Sequence, residues 1–482
     1  MKLSRVVVVG QGIAPAMAAI ALRRAFARGG LAVEWVETPA ATPPHQTVAA
    51  LPNLQAFHRL LGLDQATLLR ASHGYFTLGR HYVGFSPGRD WLHSHGPIGR
   101  PFESLPFVQY WIKAHAAGFP AAFDHFGREA VAARNGRMRL SDTAQGAATA
   151  HGYHLDATGY AAALRALALS AGVTITPDAA PVASVESSRI SALTLSDGRR
   201  LEGELFVDAL GTVRAALDED DLAAASVSGC DRLMLGSAPA LGAKPLYSRV
   251  TAHRAGWAAL TPLQDRTGIV VTYDSAMVTD AEAVQLAGAP LTAEPHFAPL
   301  APFHRTRPWA GNAVAIGDAA GQAEPLGGFE LHRLQVACTH LVSLFPVDPD
   351  AMPEAGIYNE ELAAYHARLQ DFDVAQYVLN RREEPFWQAA RARPRSPELD
   401  ARIDLFAARG MIIEFNQDSF APEEWQASLI GAGVIPRSYD PQVDRIEEGA
   451  VLADFHAQLA AIQADVTSMD SHDAALAQGM RA

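Results

Sequence analysis

The chain has 482 residues, of which 49% are hydrophobic and 19% are charged, so it is a globular protein long enough for two joined domains. Its 39 basic and 52 acidic side chains give a net charge of −13, which opposes binding to nucleic acid. Only two cysteines occur and no apolar run approaches the ~20 residues of a membrane span, so we expect a cytoplasmic protein with no membrane partner.

The first twenty residues predict a strand, a glycine turn and a helix. Val6–Val9 are four consecutive β-branched residues, which is typical of a strand covered on both faces. Gly10 permits a tight turn, and Gly12 lets the backbone approach a pyrophosphate, which the first helical turn around Ala14 would face with free N–H groups. Pro15 replaces the third glycine of the G-x-G-x-x-G fingerprint, at a position where proline is tolerated. The pattern predicts dinucleotide binding, and an ordinary βαβ unit without a ligand is the alternative.

A second strand, residues 33–37, follows this helix and ends in an acid. Glu37 lies where a carboxylate would accept hydrogen bonds from the hydroxyls of an adenosine ribose. Further along, residues 51–62 predict a helix that Gly62 closes, and the alternating residues 75–85 predict a strand.

Two later stretches repeat the pattern of an apolar strand followed by a turn. One is residues 205–211, in which Asp208 and Gly211 form a D-x-x-G sequence. The other is residues 312–321, a predicted strand-to-helix turn that contains Gly317 and Asp318.

The three strand–turn stretches together resemble the FAD-binding domain of class A flavoprotein monooxygenases. That resemblance implies FAD as the cofactor and implies that Asp318 contacts its ribityl chain, with a helix cap as the alternative role. It also implies that Pro325, Gly327 and Gly328 could bring backbone N–H groups to the flavin ring. The positions implied to bind FAD are Gly10, Gly12, Ala14, Glu37, Asp208, Gly211, Gly317, Asp318, Pro325, Gly327 and Gly328.

A narrower resemblance covers nearly the whole chain. Residues 153–157, 313–332, 371–387 and 425–441 are similar to segments of the flavin-dependent tryptophan halogenases. The resemblance implies that reduced FAD reacts with O₂ and that a halide is oxidised to hypohalous acid, which crosses a tunnel to a lysine beside a small aromatic substrate. Because no NAD(P)H site is visible, it also implies a separate flavin reductase. A homodimer is left open, and no metal site is predicted.

The chain departs from that family where the resemblance implies catalysis. Thr77 stands at the position of the lysine, and Gly327 stands at the position of its partner glutamate. Glu330 is three residues further on and is a candidate substitute for that glutamate. The W-x-W-x-I-P segment becomes Trp257–Pro262 with only its first tryptophan and its proline kept, and the G-E-x-T-x-P loop becomes Thr47–Pro52.

A histidine could take the place of the lysine that the resemblance implies. The interval 73–125 contains six histidines, among them His93 and His95. The pKa of a histidine ordinarily lies near neutrality, so one of these side chains could act as an acid or base. No acid accompanies the His93–His95 pair at the spacing of metal ligands, which favours an exposed loop or strand over a metal site.

The predicted fold class is therefore α/β, with an FAD-binding βαβ domain, a second domain of mixed sheet and helices on the substrate side, and a helical C-terminal part. The predicted boundaries are 1–75 with 152–225 and 305–350 for the FAD domain, 76–151 with 226–304 for the second domain, and 351–482 for the C-terminal part. The predicted function is FAD-dependent oxidation of an aromatic or indole-like substrate, as a monooxygenase or an unusual halogenase. The alternative is a catalytically degenerate flavin-binding scaffold, sensor or partner protein.

Overall fold

The computed structural model of the chain describes residues 3–39, 43–102, 105–217 and 221–481. The chain forms two compact units, and each unit is assembled from three separate segments. The first unit comprises Met1–Gly74, Leu155–Ser226 and Leu300–His366, and the second comprises Tyr75–His154, Val227–Pro299 and Ala367–Ala482.

A six-stranded sheet forms the centre of the first unit. Its strands, in spatial order, are Trp309–Ala310, Ala313–Ala315, Leu205–Asp208, Arg5–Gly10, Ala32–Glu37 and Thr174–Pro177. The inner strands are parallel, and Val6–Val9 are fully buried, as their β-branched sequence predicts. The remaining strands of the unit are Thr47–Ala50, a hairpin sheet of Val182–Glu186, Arg189–Thr194 and Arg200–Glu202, and a small sheet of Leu222–Ala224, Phe303–Arg305 and Gly321–Gln322.

Helices cover this sheet. They are Ile13–Phe26, Leu54–Leu61, Gln65–Ala71, Ala157–Ser170, Thr212–Ala215, Glu330–Ser343 and the first part of Glu354–Val378, with 3₁₀ turns at Ala27–Gly29 and Gly317–Ala319. The helix predicted over 51–62 is confirmed, and Gly62 ends it in the left-handed conformation. The strand-to-helix turn predicted over 312–321 is wrong in its second half. The 3₁₀ turn there leads into the strand Gly321–Gln322, and an α-helix begins only at Glu330.

The second unit is built on a seven-stranded sheet. Its strands, in spatial order, are His296–Pro299, Arg232–Pro239, Arg266–Tyr273, Gly256–Pro262, Ser248–His253, Gly79–Ser86 and Arg89–Ser94. Two shorter pairs are Tyr75–Thr77 with Gly152–Asp156 and Arg137–Met138 with Asp470–Ser471. The strand predicted over 75–85 is interrupted at Leu78, whose N–H donates to the carbonyl of Leu246.

Helices surround this second sheet. They are Phe107–Ala116, Arg128–Arg134, Asp280–Gln285, the last part of Glu354–Val378, Pro385–Arg391, Pro397–Arg409, Pro422–Gly431, Glu448–Ser468 and His472–Gly479, with 3₁₀ turns at Phe123–Phe126 and Pro441–Arg445. Six of these helices carry an aromatic residue at a fully buried position, and five of those residues come after residue 366, so the C-terminal helices share the core of the second unit. The six residues are Trp111, Phe372, Trp387, Phe406, Trp425 and Phe455.

A buried ionic network joins distant segments of the first unit. Asp221 accepts hydrogen bonds from Arg305 at 2.5 Å and from Arg214 at 3.1 Å, and all three side chains are buried. Arg305 also donates to the carbonyl of Ala319, at the 3₁₀ turn that carries Asp318. Charges inside a protein are tolerated only when they are paired and hydrogen-bonded, so Asp221 holds two arginines that could not otherwise be buried.

Replacing Asp221 tests the importance of this network. Asp221→Ala leaves two buried guanidinium groups without their carboxylate, so we expect the free energy of unfolding to fall by about 3–5 kcal/mol. Urea denaturation followed by circular dichroism measures the change. Asp197→Ala is the control, because Asp197 pairs with Arg199 on the surface, and its unfolding midpoint should hardly move. Equal effects of the two substitutions would contradict the assigned role of the network.

Candidate functional site

The carboxyl ends of the parallel strands bring the predicted binding residues to one edge of the first unit's sheet. In the pairing of neighbouring strands, Gly10 lies opposite Glu37 and Val9 lies opposite Asp208. Ligands of open α/β sheets bind at this edge, where the connecting loops leave a crevice. The register of the sheet therefore places the first glycine turn beside the carboxylate of Glu37.

One cavity at this edge has a volume of about 570 Å³. Gln11 and Gly12 line one part of it, and Glu37 and Arg165 line another. Arg165 forms two hydrogen bonds to Glu37, from Nε at 2.7 Å and from Nη2 at 2.8 Å. This two-pronged contact orients the carboxylate, and a carboxylate has enough lone pairs to accept further hydrogen bonds from a ligand.

A second cavity, of about 200 Å³, adjoins the first because Gln11 and Gly12 line both. Asp318 and Arg333 line this space, as do Glu330 and His366. Burial raises the pKa of Asp318, and the nearby Arg333 opposes that rise. Burial also lowers the pKa of His366 to about 3, so its imidazole is neutral at physiological pH.

The backbone of this edge fits a dinucleotide. Gly12 has φ of +77°, which favours glycine, and a Cβ at Gly12 would meet no atom of the described residues within 4 Å, so the space beyond it is open. The helix Ile13–Phe26 starts directly after Gly12 and has no acidic residue in its first turn, so its N–H groups can receive phosphate oxygens. At Gly317, whose φ is +57°, a Cβ would lie only 2.7 Å from the Cβ of Ala14. The close approach of these two turns thus depends on glycine.

Asp208 and Gly211, which are predicted to bind FAD, form a turn and line neither of the two cavities. Asp208 is buried and accepts hydrogen bonds from the backbone N–H groups of Leu210, Gly211 and Arg214 at 2.7–2.8 Å. Burial raises the pKa of Asp208, and these N–H groups oppose the rise. Gly211 supplies the left-handed turn that this arrangement needs, with φ of +95°. Asp208 therefore shapes the turn beneath the cavities instead of lining them.

The segment predicted to approach the flavin ring lies outside the lining of both cavities. Pro325, Gly327 and Gly328 are absent from the described residues that line them, whereas Ala14, Gly317 and Asp318 are present. At Gly327, a Cβ would lie 2.0 Å from the ring of Phe329, which is buried. The phenyl ring thus fills the space that a side chain at position 327 would need.

Thr77, at the predicted position of the lysine, is buried in the second unit. Its hydroxyl donates to the carbonyl of Gly79 at 3.0 Å, and the carbonyl of Leu246 lies at 3.4 Å. The hydroxyl is therefore used to hold the backbone at the break between two strands. Threonine also lacks an amine, so this side chain cannot supply a cation.

The W-x-W-x-I-P equivalent forms the strand Gly256–Pro262 in the second unit. Trp257 is fully buried, and its indole N–H donates to the hydroxyl of Tyr377 at 2.8 Å. The carbonyl of Pro262 accepts a hydrogen bond from Nδ1 of His154 at 3.2 Å, which leaves Nε2 of that imidazole as the acceptor. Both retained residues are thus hydrogen-bonded, Trp257 as a donor through its indole and Pro262 as an acceptor through its carbonyl.

Comparison with known proteins decides the family. The family model described as tryptophan halogenase matches residues 5–448. The chain belongs to the tryptophan halogenase family. Tryptophan 6-halogenase ThaL from Streptomyces albogriseolus is 26% identical over 444 residues, which cover 84% of this chain and 82% of that protein.

Solved structures of flavin-dependent halogenases superpose closely on this member of the tryptophan halogenase family. BrvH from Brevundimonas sp. BAL3 is 29% identical with a TM-score of 0.92, and the match covers 99% of both chains. Xcc4156 from Xanthomonas campestris is 28% identical with a TM-score of 0.93 and covers 99% of this chain and 98% of its own. The likeness confirms the predicted α/β fold class and the predicted family, whose flavin-dependent members use FAD. Within the described residues, no helix has the length and apolar character needed to cross a membrane.

Four of the polar residues that line the two cavities are not among those predicted from the sequence. Gln11 lies inside the glycine fingerprint, in which only the glycines and the first helical turn are predicted to bind. Arg165, Arg333 and His366 come from three different helices, far from the residues they face. Of these residues, Arg333 has a signal in the sequence. It lies three residues after the candidate Glu330 in one helix, so both side chains are expected on the same helix face.

The space beside Gly327 can be tested by adding one methyl group. Gly327→Ala forces the buried ring of Phe329 to move, so we expect the free energy of unfolding to fall by about 1–3 kcal/mol. Chemical denaturation measures the loss, and Gly356→Ala is the control because no described atom lies within 4 Å of its added Cβ. In a Phe329→Ala background the cost of Gly327→Ala should vanish. An unchanged cost in that background would show that the ring is not the obstacle.

Proposed function

We propose that the chain is an FAD-dependent oxidoreductase that acts on an aromatic or indole-like substrate with O₂, without a lysine to relay the oxidised halogen. The observation that carries this proposal is the continuous pair of cavities at the sheet edge, which joins Glu37 to Asp318 past the start of a helix. FAD is an elongated dinucleotide, and such a path matches its length better than a single compact pocket would.

Each part of the path suits a different part of FAD. Glu37, held by Arg165, would accept hydrogen bonds from the adenosine ribose. Gly12 and the first N–H groups of helix Ile13–Phe26 would receive the pyrophosphate. Asp318 would bind the ribityl hydroxyls.

Arg333 provides a positive charge in the second cavity. Its Nη2 donates to the carbonyl of Gly321 at 3.1 Å, whereas its buried Nε has no hydrogen-bond partner among the described residues. A buried guanidinium N–H without a partner is costly, so a bound anion would stabilise it. This arrangement supports placing a phosphate of FAD within reach of Arg333.

The reaction needs electrons from outside the chain. Bound FAD, once reduced by a separate flavin reductase, supplies the electrons that activate O₂. This chain's residues would bind the dinucleotide and exclude water from the buried cavity next to Asp318 and His366. His366 is uncharged at neutral pH, so it would act there as a hydrogen-bonding group and not as a cation.

Neither His93 nor His95 replaces the lysine as a buried cation. Burial, together with the neighbouring His93 and His154, lowers the pKa of His95 to about 3. Burial likewise lowers the pKa of His93 to about 4. Both imidazoles are therefore neutral at pH 7 and cannot provide the positive charge of an ammonium group. This is why the proposal leaves out halogen transfer through an amine.

A second candidate function is a flavin-binding scaffold or partner subunit without catalysis. The filled space beside Gly327 and the tied hydroxyl of Thr77 favour it, because both give a purely structural use to positions that the resemblance assigns to catalysis. Flavin binding is common to both candidates, and product formation separates them.

FAD binding is tested at the adenosine end. Glu37→Gln removes a charged acceptor, so we expect the affinity for FAD to fall roughly tenfold or more, since a hydrogen bond to a charged group contributes about 1.5–3 kcal/mol. Titration of flavin fluorescence measures the affinity. Glu34→Gln is the matched control, because Glu34 lies on the same strand, accepts a hydrogen bond from Thr176 and is not a lining residue of either described cavity. No uptake of FAD by the unaltered protein would exclude both candidate functions.

Catalysis is tested with Thr77→Val. The protein is incubated with FAD, NADH, a flavin reductase, O₂, bromide and indole, and brominated or hydroxylated indole is measured by mass spectrometry. We expect the variant to form product within about twofold of the unaltered protein and to lose about 1 kcal/mol of stability, because the hydroxyl contacts only the backbone.

The outcomes of that assay separate the candidates. A folded Thr77→Val protein that has lost activity at least a hundredfold would make Thr77 a catalytic residue and would contradict the structural role given to it. FAD binding without any product from the unaltered protein or the variant would favour the scaffold.

A further inference from the structure

A recess of about 390 Å³ lies in the second unit, away from the residues that line the FAD path. Its lining includes three cations, Arg134, Lys244 and Arg249, together with Tyr247 and Leu260. No acidic side chain is among the described residues that line it. In a chain of net charge −13 this is a local reversal of charge, which would attract an anion.

Two of the three cations are already paired. Arg134 forms an ion pair with Asp124, and Lys244 forms one with Asp473 at 2.5 Å. Arg249 differs, because it has no hydrogen-bond or ion-pair partner among the residues that the structure describes. Its guanidinium is therefore the group of the recess that is available to a ligand.

The sheet fixes the backbone of Arg249, whose side chain is exposed. It lies opposite His81 on one neighbouring strand and opposite Leu260 on the other. Residues paired across adjacent strands project from the same face, so these three side chains form a row. The ring of Tyr247 meets the ring of His81 edge to face at a centroid distance of 5.3 Å. An arginine thus stands beside apolar and aromatic surface on a rigid element.

The opposite wall of the recess is also fixed. Gly136 follows the helix Arg128–Arg134 with φ of +61°, and its Cβ position lies 3.2 Å from the carbonyl of Lys244. The N–H of Leu246 donates to the carbonyl of Ala133 at 3.3 Å. The loop that carries Lys244 is therefore tied to the end of this helix, and the recess does not depend on a ligand to form.

We propose that this recess binds a small organic oxyanion, a carboxylate or a phosphate ester, whose charged group pairs with Arg249 and whose flat apolar body rests against Tyr247 and Leu260. The guanidinium has the fork geometry that carboxylate and phosphate oxygens share. Arg134 and Lys244 keep their own carboxylate partners, so Arg249 supplies the positive charge that the ligand pairs with. The recess is a second binding site, separate from the one proposed for FAD.

Calorimetric titration of the full-length protein, with FAD present in excess, tests this site. Benzoate and phenyl phosphate are the two probes, because they share a flat ring and differ only in the oxyanion. We expect saturable binding of at least one probe, and the better probe identifies a carboxylate or a phosphate ester as the ligand class. Arg249→Gln should weaken that binding about tenfold or more, since charge-assisted hydrogen bonds are among the strongest in proteins.

Arg59→Gln is the matched control, because Arg59 is an exposed arginine on the helix Leu54–Leu61 and its loss changes the net charge equally. It should leave the affinity unchanged. Lys244→Gln should weaken binding less than Arg249→Gln does, because Asp473 already neutralises Lys244. Absence of saturable binding by both probes, or equal affinities of the unaltered protein and Arg249→Gln, would overturn the proposal. A protein that takes up no FAD can still be titrated with the same variants, so the two proposals fail independently.

Discussion

The parallel pairing of the strand Arg5–Gly10 with its two neighbours is the constraint on which the rest of the first unit depends. The pairing is in register over the whole strand, so Gly10 meets Glu37 and Val9 meets Asp208 at the same edge. Side chains alternate along a strand, so a slip of one residue would turn each of these groups to the other face. A slip in either direction would put the exposed Arg5 or the small Gly10 into a position that a fully buried valine fills. The apolar sequence of this strand thus fixes where the polar groups of the site stand.

The sequence predicted what depends on local pattern. A run of β-branched residues indicates a buried parallel strand, a glycine pair after it indicates a turn, and the acid at the end of the next strand falls beside that turn. It could not predict Arg165, which reaches Glu37 across 128 residues of chain. It also could not separate Asp208 from the lining residues, since a buried carboxylate that caps its own turn has the same sequence as one that binds a ligand. Such distinctions depend on tertiary packing, which leaves no local signal.

Position 327 shows how a glycine is accommodated in a packed interior. A glycine in a packed interior normally leaves a void, and an unfilled void lowers stability. Here the ring of Phe329, two residues further on, takes the volume, and the buried Leu326 packs in the same segment. The segment Glu324–Phe329 therefore keeps a dense interior without the glutamate that the resemblance places at 327. Glu330 carries a carboxylate into the second cavity, but from the first turn of a helix and so from a different direction.

Position 77 carries a neutral side chain where the resemblance implies a lysine. A buried ammonium without a carboxylate near it costs several kcal/mol, often about 3–5. Threonine avoids that cost, and its hydroxyl is satisfied by backbone carbonyls of its own unit. The buried histidines around it are neutral as well, because burial lowers the pKa of His95 and of His154 to about 3. Arg80, three residues from Thr77, also lowers the pKa of both imidazoles, so the buried histidines near Thr77 stay neutral beside a cation that lies on the next strand.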